Sequence, residues 1–428
     1  MKHWKSGAAA VAAIISLGVA GCSSSPDPTT SSTGGGGDAL TGTVTYWHAY
    51  SADSPEVATL QDTIIPAFVK LHPGVTVKDV PVPYDDLHQK LITAAAGEQL
   101  PDLVRADIGW VPELANLGVL EPLSDSMPDF QTFADQVFPG TLATNLWKGT
   151  YYGLPLDTNT RVMMYDDSFF TKAGVDVPTT VEQLVAAAPA LKQAGAFAFA
   201  DNGAGGWNML PWIWSAGGDM TDPDVTKASG FLNSAASVKG IQTLVDLYKA
   251  GYMPDIVLGG EGGLATSDGL ATGKYATILD GPWMFPIFAD QYPDFTLSTS
   301  QVPAGDGGSI SVVGGEDIVM TQSSTNKEAA MEFMRYLLSQ DAQLAMAKVG
   351  QMPVLQELGS QLSDINAYYA QFVEQLKTAR PRPVTPAWAQ MDTILQDEIR
   401  AAFRGEKTVQ EALDEAASQA DALLAQYN

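Results

Sequence analysis

Between Gly42 and Gly118, short apolar runs rich in β-branched and aromatic residues alternate with helical stretches, and this rhythm restricts the fold more than any other feature of the chain. Thr43-Val44-Thr45-Tyr46-Trp47 reads as a buried first strand. Ser54-Pro55-Glu56 then predicts a helix start, with Ser as N-cap and Pro in the first turn, running to about Leu71 with a bend at Pro66. His72-Pro73-Gly74 ends it, and Val75–Val80 is a second strand. Leu87–Ala96 is helical, Asp102–Ala106 is a third strand ending near Asp107, and Val111–Leu117 is a helix closed by Gly118. Such a β-α-β-α-β-α order predicts an α/β sandwich on a mixed, largely parallel sheet.

A second run of elements begins near Thr150. Tyr151–Asp157 reads as an extended crossing segment, and Arg161–Tyr165 and Tyr275–Leu279 as strands. Thr180–Gln193 and Val238–Ala250 are helices; the second carries Ile241, Leu244, Val245 and Tyr248 on one stripe. Ser311-Val312-Val313 predicts a strand that stops before Gly314-Gly315-Glu316-Asp317. Helices follow at Lys327–Leu338 and Asp341–Lys348. Thr408-Val409-Gln410-Glu411 is a capping box opening a C-terminal helix. With about 385 residues beyond Thr41, one hydrophobic core is too small a solution, and two domains are expected.

The first 41 residues have a different character. Lys2 and Lys5 precede an apolar run from Gly7 to Ala20, which closes at Val19-Ala20-Gly21-Cys22. That layout is an export signal over residues 1–21, too short to span a bilayer, which takes about 20 apolar residues. Cys22 is the only cysteine and stands where a bacterial lipoprotein carries its lipidated residue. Residues 22–41 hold few apolar side chains and the run Gly34–Gly37, so they predict a flexible tether. Without Lys2 and Lys5 of the leader, 21 basic against 49 acidic side chains leave a formal charge of −28. This excludes a general nucleic-acid role and electrostatic docking on anionic lipid.

Signatures of catalysis are scarce. His48, His72 and His88 share no metal-ligand spacing, so neither a metal nor a cofactor is expected. Gly269–Lys274 lacks the spacing of a phosphate loop, and Tyr275 stands where that loop has its hydroxyl. Asp280 with Glu316-Asp317 could form a glycosidase carboxylate pair, which keeps a secreted carbohydrate hydrolase or lyase as the alternative reading. Tryptophan is the informative residue. Trp47-His48, Asp107…Trp110, Gly205-Gly206-Trp207 and Asp280-Gly281-Pro282-Trp283 sit in loops or at strand ends, where open α/β sheets bind ligands. Indole faces beside Asp, Glu, Asn or Arg make a site for a polyhydroxy ligand.

Together with a lipidated start, several segments resemble in order and spacing one known family. They are Val44-Thr45-Tyr46-Trp47, Pro101-Asp102-Leu103-Val104 leading to Asp107, Tyr152-Gly153-Leu154-Pro155, Gly273-Lys274-Tyr275-Ala276 before Asp280-Gly281-Pro282-Trp283, and Gly314-Gly315. The chain resembles the sugar-binding lipoproteins of ATP-binding cassette importers, in the maltose-binding branch of the extracellular solute-binding proteins. The resemblance implies two α/β lobes, 42–154 plus 304–354 and 156–303 plus 355–428, joined by crossings near Pro155 and Pro303. It implies a monomer that holds a neutral oligosaccharide in the cleft and delivers it to membrane permease subunits; a polyol or glycerol phosphate is the variant on the same fold. Carried over position by position, the contacts would be Trp47, His48, Asp107, Trp110, Asp157, Asn159, Trp207, Trp212, Trp283, Gly315, Glu316, Asp317 and Arg380, with Trp283 as the main stacking platform.

Overall fold

The computed structural model describes residues 40–51, 54–259 and 265–427. The leader, Cys22 and the tether up to residue 39 lie outside the described residues. Strands follow in the order β1 (Thr41–His48), β2 (Gly74–Pro81), β3 (Leu103–Asp107), β4 (Leu146–Trp147), β5 (Thr150–Tyr151), β6 (Gly153–Thr160), β7 (Val162–Tyr165), β8 (Thr277–Asp280), β9 (Ser298–Ser300) and β10 (Val313–Met320).

Among the described residues, one sheet has the order β2-β1-β3-β10-β6. β1 runs parallel to β2 and β3, while β10 is antiparallel to both β3 and β6. The edge strand β2 alternates exposed and covered residues; the interior strand β3, Leu-Val-Arg-Ala-Asp, is buried throughout. A strand covered on both faces is expected to be apolar, so Arg105 in its middle is an anomaly with a purpose at the site. A second sheet has the order β8-β7-β9, with antiparallel pairings. It is extended by single parallel bridges, Phe197 to Tyr275 and Ala200 to Ile278.

Each sheet has its own core, which makes two lobes. Val44, Tyr46, Phe68, Leu154, Ile318 and Phe333 pack around the first sheet. Leu184, Trp212, Trp214, Ile241, Leu395 and Leu413 form the larger core of the second lobe. Its C-terminal helix, Val409–Leu424, starts at the expected capping box: Thr408 Oγ1 accepts from the Glu411 amide at 3.2 Å, and Glu411 Oε2 accepts from the Thr408 amide at 2.9 Å. Val409, Leu413, Ala416, Ala420 and Leu424 then bury one stripe.

Three local expectations change. The helix beginning at Glu56 has no side-chain cap at its N-cap residue, Pro55; Ser54 Oγ instead accepts from the Glu56 amide at 3.3 Å. A π-helical turn, Leu60–Ile64, precedes Pro66. The strand expected to stop at Val313 begins there and runs through Gly314–Asp317 to Met320. Partners on both sides, β3 and β6, override the weak strand preference of two glycines. Gly315 carries φ +135° and a bulge separates Glu316 from Asp317, so the strand accommodates both carboxylates by bending.

β6 continues unbroken through Pro155 to Thr160. Residues 304–308, expected with the first lobe, hydrogen-bond to the second: the Ala304 amide to Thr179 O at 2.9 Å, the Gly307 amide to Ser215 O at 2.7 Å.

Candidate functional site

Three neighbouring strands of the first sheet carry a buried charge network. Arg105 on β3 donates from Nε and Nη2 to Asp157 Oδ2 on β6, at 3.2 and 3.0 Å. Its Nη2 also reaches Glu316 Oε2 on β10 at 2.7 Å and Gln351 Oε1 at 3.0 Å. The guanidinium lies 4.3 Å from the centre of the Tyr50 ring. A buried arginine is tolerable only when its donors are met, and two carboxylates meet them here. Burial holds the Glu316 carboxyl well above the usual range; Arg105 opposes this and Asp157 reinforces it. The raised Glu316 carboxyl is also a hydrogen-bond partner of the buried Asp157 carboxylate.

At the carboxyl end of β3, Asp107 joins the two lobes. Its Oδ1 accepts from the Gly109 amide and from Arg382 Nη2, each at 2.7 Å, and its Oδ2 accepts from the Tyr84 hydroxyl at 2.7 Å. The Tyr84 ring is tilted against Trp110 at 5.4 Å, and His88 packs against Trp110 at 5.2 Å. Trp388 closes the other side: a Cβ built on Gly109 would lie 2.8 Å from its Cδ1, and one on Gly206 2.7 Å from its Cη2. These two glycines admit the indole where any side chain would collide.

Farther along, Trp207 and Trp283 form an aromatic pair, ring centres 6.1 Å apart at 34°, each only partly buried. Trp207 begins the Gly206–Ser215 helix and leans over Arg161, 5.6 Å from its guanidinium, and against Gly314 of β10. Asn159 meets the same glycine; its Oδ1 is buried and unpartnered among the described residues. Buried polar atoms are rarely left unpaired without a reason. Asn159 Oδ1 on β6 is an acceptor of that kind.

The structure thus brings together Asp107, Trp110, Asp157, Asn159, Trp207, Trp283, Gly315 and Glu316. Trp47 lies at the end of β1, half-buried, with Lys90 Nζ 4.2 Å from its ring centre. Four expected contacts sit elsewhere. His48 is fully buried between Tyr46 and Tyr50, and burial pushes its pKa down to about 4, which makes it a neutral core group. Trp212 is a core residue, edge-on to Phe199 at 4.9 Å. Asp317 is fully buried and accepts from Asn145 Nδ2 at 2.7 Å and Thr144 Oγ1 at 3.0 Å, tying β10 to the segment before β4. Arg380 turns outward to Asp219 at 2.6 Å and lies over Trp214.

Arg382, Tyr84 and Trp388 were not anticipated as site residues. Arg382 lies two residues past Arg380, and a regular extended chain would put both on one side; Arg380 nonetheless meets Asp219 and Arg382 meets Asp107, so no local periodicity told which of them faces the site. Tyr84 and Trp388 had no local signal, because each is brought to Asp107 from a distant part of the chain. The phosphate-loop likeness also has a packing explanation: Gly269 lies directly against the Tyr275 ring.

Two α/β lobes meeting over buried carboxylates and paired indoles define a two-lobed solute-capture protein. The model of the bacterial extracellular solute-binding proteins matches residues 63–370, and the chain belongs to that family, whose members bind solutes. Among characterised relatives, the chain is 26% identical over 431 residues to the sn-glycerol-3-phosphate-binding periplasmic protein of Pectobacterium atrosepticum, covering 90% of this chain and 91% of that one. It is 22% identical over 422 residues to the galactooligosaccharide-binding protein of Bacillus subtilis, covering 95% and 94%. Among solved structures, the GacH receptor of Streptomyces glaucescens, studied unliganded and with acarbose, superimposes with a TM-score of 0.82 at 26% identity, over 91% of this chain and 100% of that one. The cyclic α-maltosyl-1,6-maltose binding protein of Arthrobacter globiformis gives 0.73 at 27%, over 90% and 100%.

Proposed function

We propose that this protein captures a neutral oligosaccharide, an α-glucoside of the maltose or trehalose type, between its lobes and presents it to the permease of an ATP-binding cassette importer. The observation that carries the reading is the Trp207–Trp283 pair beside the unpartnered acceptor of Asn159. Indole faces cover the C–H face of a sugar ring, while fixed acceptors take its hydroxyl protons; apolar platforms with a few placed polar groups are the usual form of a small-molecule site. The lobes open and close, and a sugar touching both favours the closed form by its differential affinity. Relatives named for oligosaccharides support the same reading. A lipid on Cys22 keeps the body, which acts as a monomer, at the outer face of the cytoplasmic membrane.

Titration calorimetry of the full-length protein against maltose, trehalose and β-linked disaccharides and longer oligomers tests the ligand. Binding to at least one α-glucoside is expected; a folded protein that binds no carbohydrate of the panel overturns the proposal. For the anchor, Cys22→Ser moves the protein from the membrane fraction to the medium and abolishes incorporation of an alkyne-tagged fatty acid. A variant that stays membrane-bound removes the lipid from the account.

A further inference from the structure

The Asp107–Arg382 pair has a consequence for which solutes enter. Arg382 is 8% exposed, and its Nε is buried without a partner among the described residues. Two helices begin beside it. Gly206–Ser215 starts at a backbone amide donating to the Asp392 carboxylate, and Trp388, the first residue of the Trp388–Arg404 helix, has its ring centre 5.9 Å from the Arg382 guanidinium. Helix N-termini carry partial positive charge and unpaired N–H groups, which with a guanidinium make a ready anion site. Two carboxylates oppose that field. Asp392 is engaged by the Gly206 amide. Asp107 takes Arg382 directly, at 2.7 Å, and is itself oriented by Gly109 and Tyr84.

We propose that Asp107 is a specificity residue that neutralises Arg382 and so closes the cleft to phosphate esters, keeping it for neutral polyhydroxy ligands. This rests on the sugar-capture reading of the same cleft. Asp107→Asn keeps size and shape but removes the charge beside Arg382, leaving Asp392 as the main remaining carboxylate acting on the guanidinium, with Glu316 farther off across Tyr84. An incoming phosphate would then complete the guanidinium in place of the carboxylate.

The test is calorimetry of full-length wild type, Asp107→Asn and Asp107→Asn/Arg382→Gln with sn-glycerol 3-phosphate, glucose 6-phosphate and the neutral sugar panel. Asp107→Ser repeats the arm with a different polar group should Asn impair folding. Wild type is expected to bind neither phosphate ester. Asp107→Asn should gain at least one of them by roughly 10- to 100-fold, the worth of a charge-assisted hydrogen bond, and Arg382→Gln should erase the gain. Wild type binding a phosphate ester as tightly as any sugar overturns the inference, whatever the variants do. So does a folded Asp107 variant with no gain, or a gain that survives loss of Arg382. If wild type binds no sugar while Asp107→Asn gains the ester, sugar capture fails and the charge gate stands.

Discussion

Arg161→Met tests whether the second lobe's aromatic platform is held by one buried ion pair. Arg161 is 1% exposed and Asp201 is fully buried, and they meet at 2.8 Å. The guanidinium also donates to Trp207 O at 3.1 Å, to Asn208 O at 3.3 Å and to Leu279 O. Methionine fills similar volume but donates to none of these carbonyls and leaves the carboxylate without its cation. Breaking a buried pair from one side costs about 3–5 kcal/mol. Burial already raises the Asp201 pKa, with Arg161 as the main opposing influence. Without Arg161 the carboxyl takes up a proton, which limits the loss to that range and not beyond. Arg161→Met/Asp201→Asn removes both charges, and replacing a whole buried pair is often close to neutral. The double variant is therefore expected to recover most of the loss, to within about 2 kcal/mol of wild type. Urea unfolding followed by tryptophan fluorescence reads both values from the midpoint and slope. Because Arg161 supports both the ring and the carbonyl of Trp207, sugar affinity should fall in the single variant as well. A single variant within about 1 kcal/mol of wild type, or a double variant no better than the single, would refute the reasoning.

Other outcomes follow from the same geometry. Trp283→Ala should weaken sugar binding by roughly 1–3 kcal/mol in calorimetry, the loss of an aromatic anchor; unchanged affinity would make Trp283 a packing residue. Burial pushes the Asp280 carboxyl up to about 6. The folded state then holds a proton that the unfolded state has already lost, so this group's contribution falls as pH rises from about 4 through about 6, by on the order of 3 kcal/mol. Asp280→Asn should remove that fall in pH-dependent unfolding; an unchanged profile would locate it elsewhere. Thr408→Ala opens the capping box and should cost about 1 kcal/mol in urea unfolding while leaving sugar affinity unchanged; a stability equal to wild type would mean that the first turn is held by packing alone.

How much was legible depended on the range of the interaction. The β-α rhythm of residues 42–118 and the Thr408–Glu411 box rest on contacts within a few residues, and both reappear in the structure. Trp207 and Trp212 were expected on the same surface. Yet five residues of helix turn a side chain by about 140° relative to its predecessor at 3.6 residues per turn. One indole accordingly reaches the cleft and the other enters the core. Trp47 and His48 alternate along β1 for the analogous reason in a strand, and so do Glu316 and Asp317 across a bulge.

By itself the sequence determined the acidic body, the order of the main strands and helices, the Thr408 capping box, and a set of aromatic and acidic residues from which the proposed solute site is drawn. Only the tertiary structure decided which of them meet. Arg105 finds Asp157 at a separation of 52 residues and Glu316 at 211, and Asp107 finds Arg382 at 275. Periodicity reports which face of its own element a side chain occupies. Whether that face meets a guanidinium, an indole or water depends on the packing of distant elements. Burial then sets the charge: it keeps His48 neutral, raises Glu316, and makes Arg382 depend on Asp107.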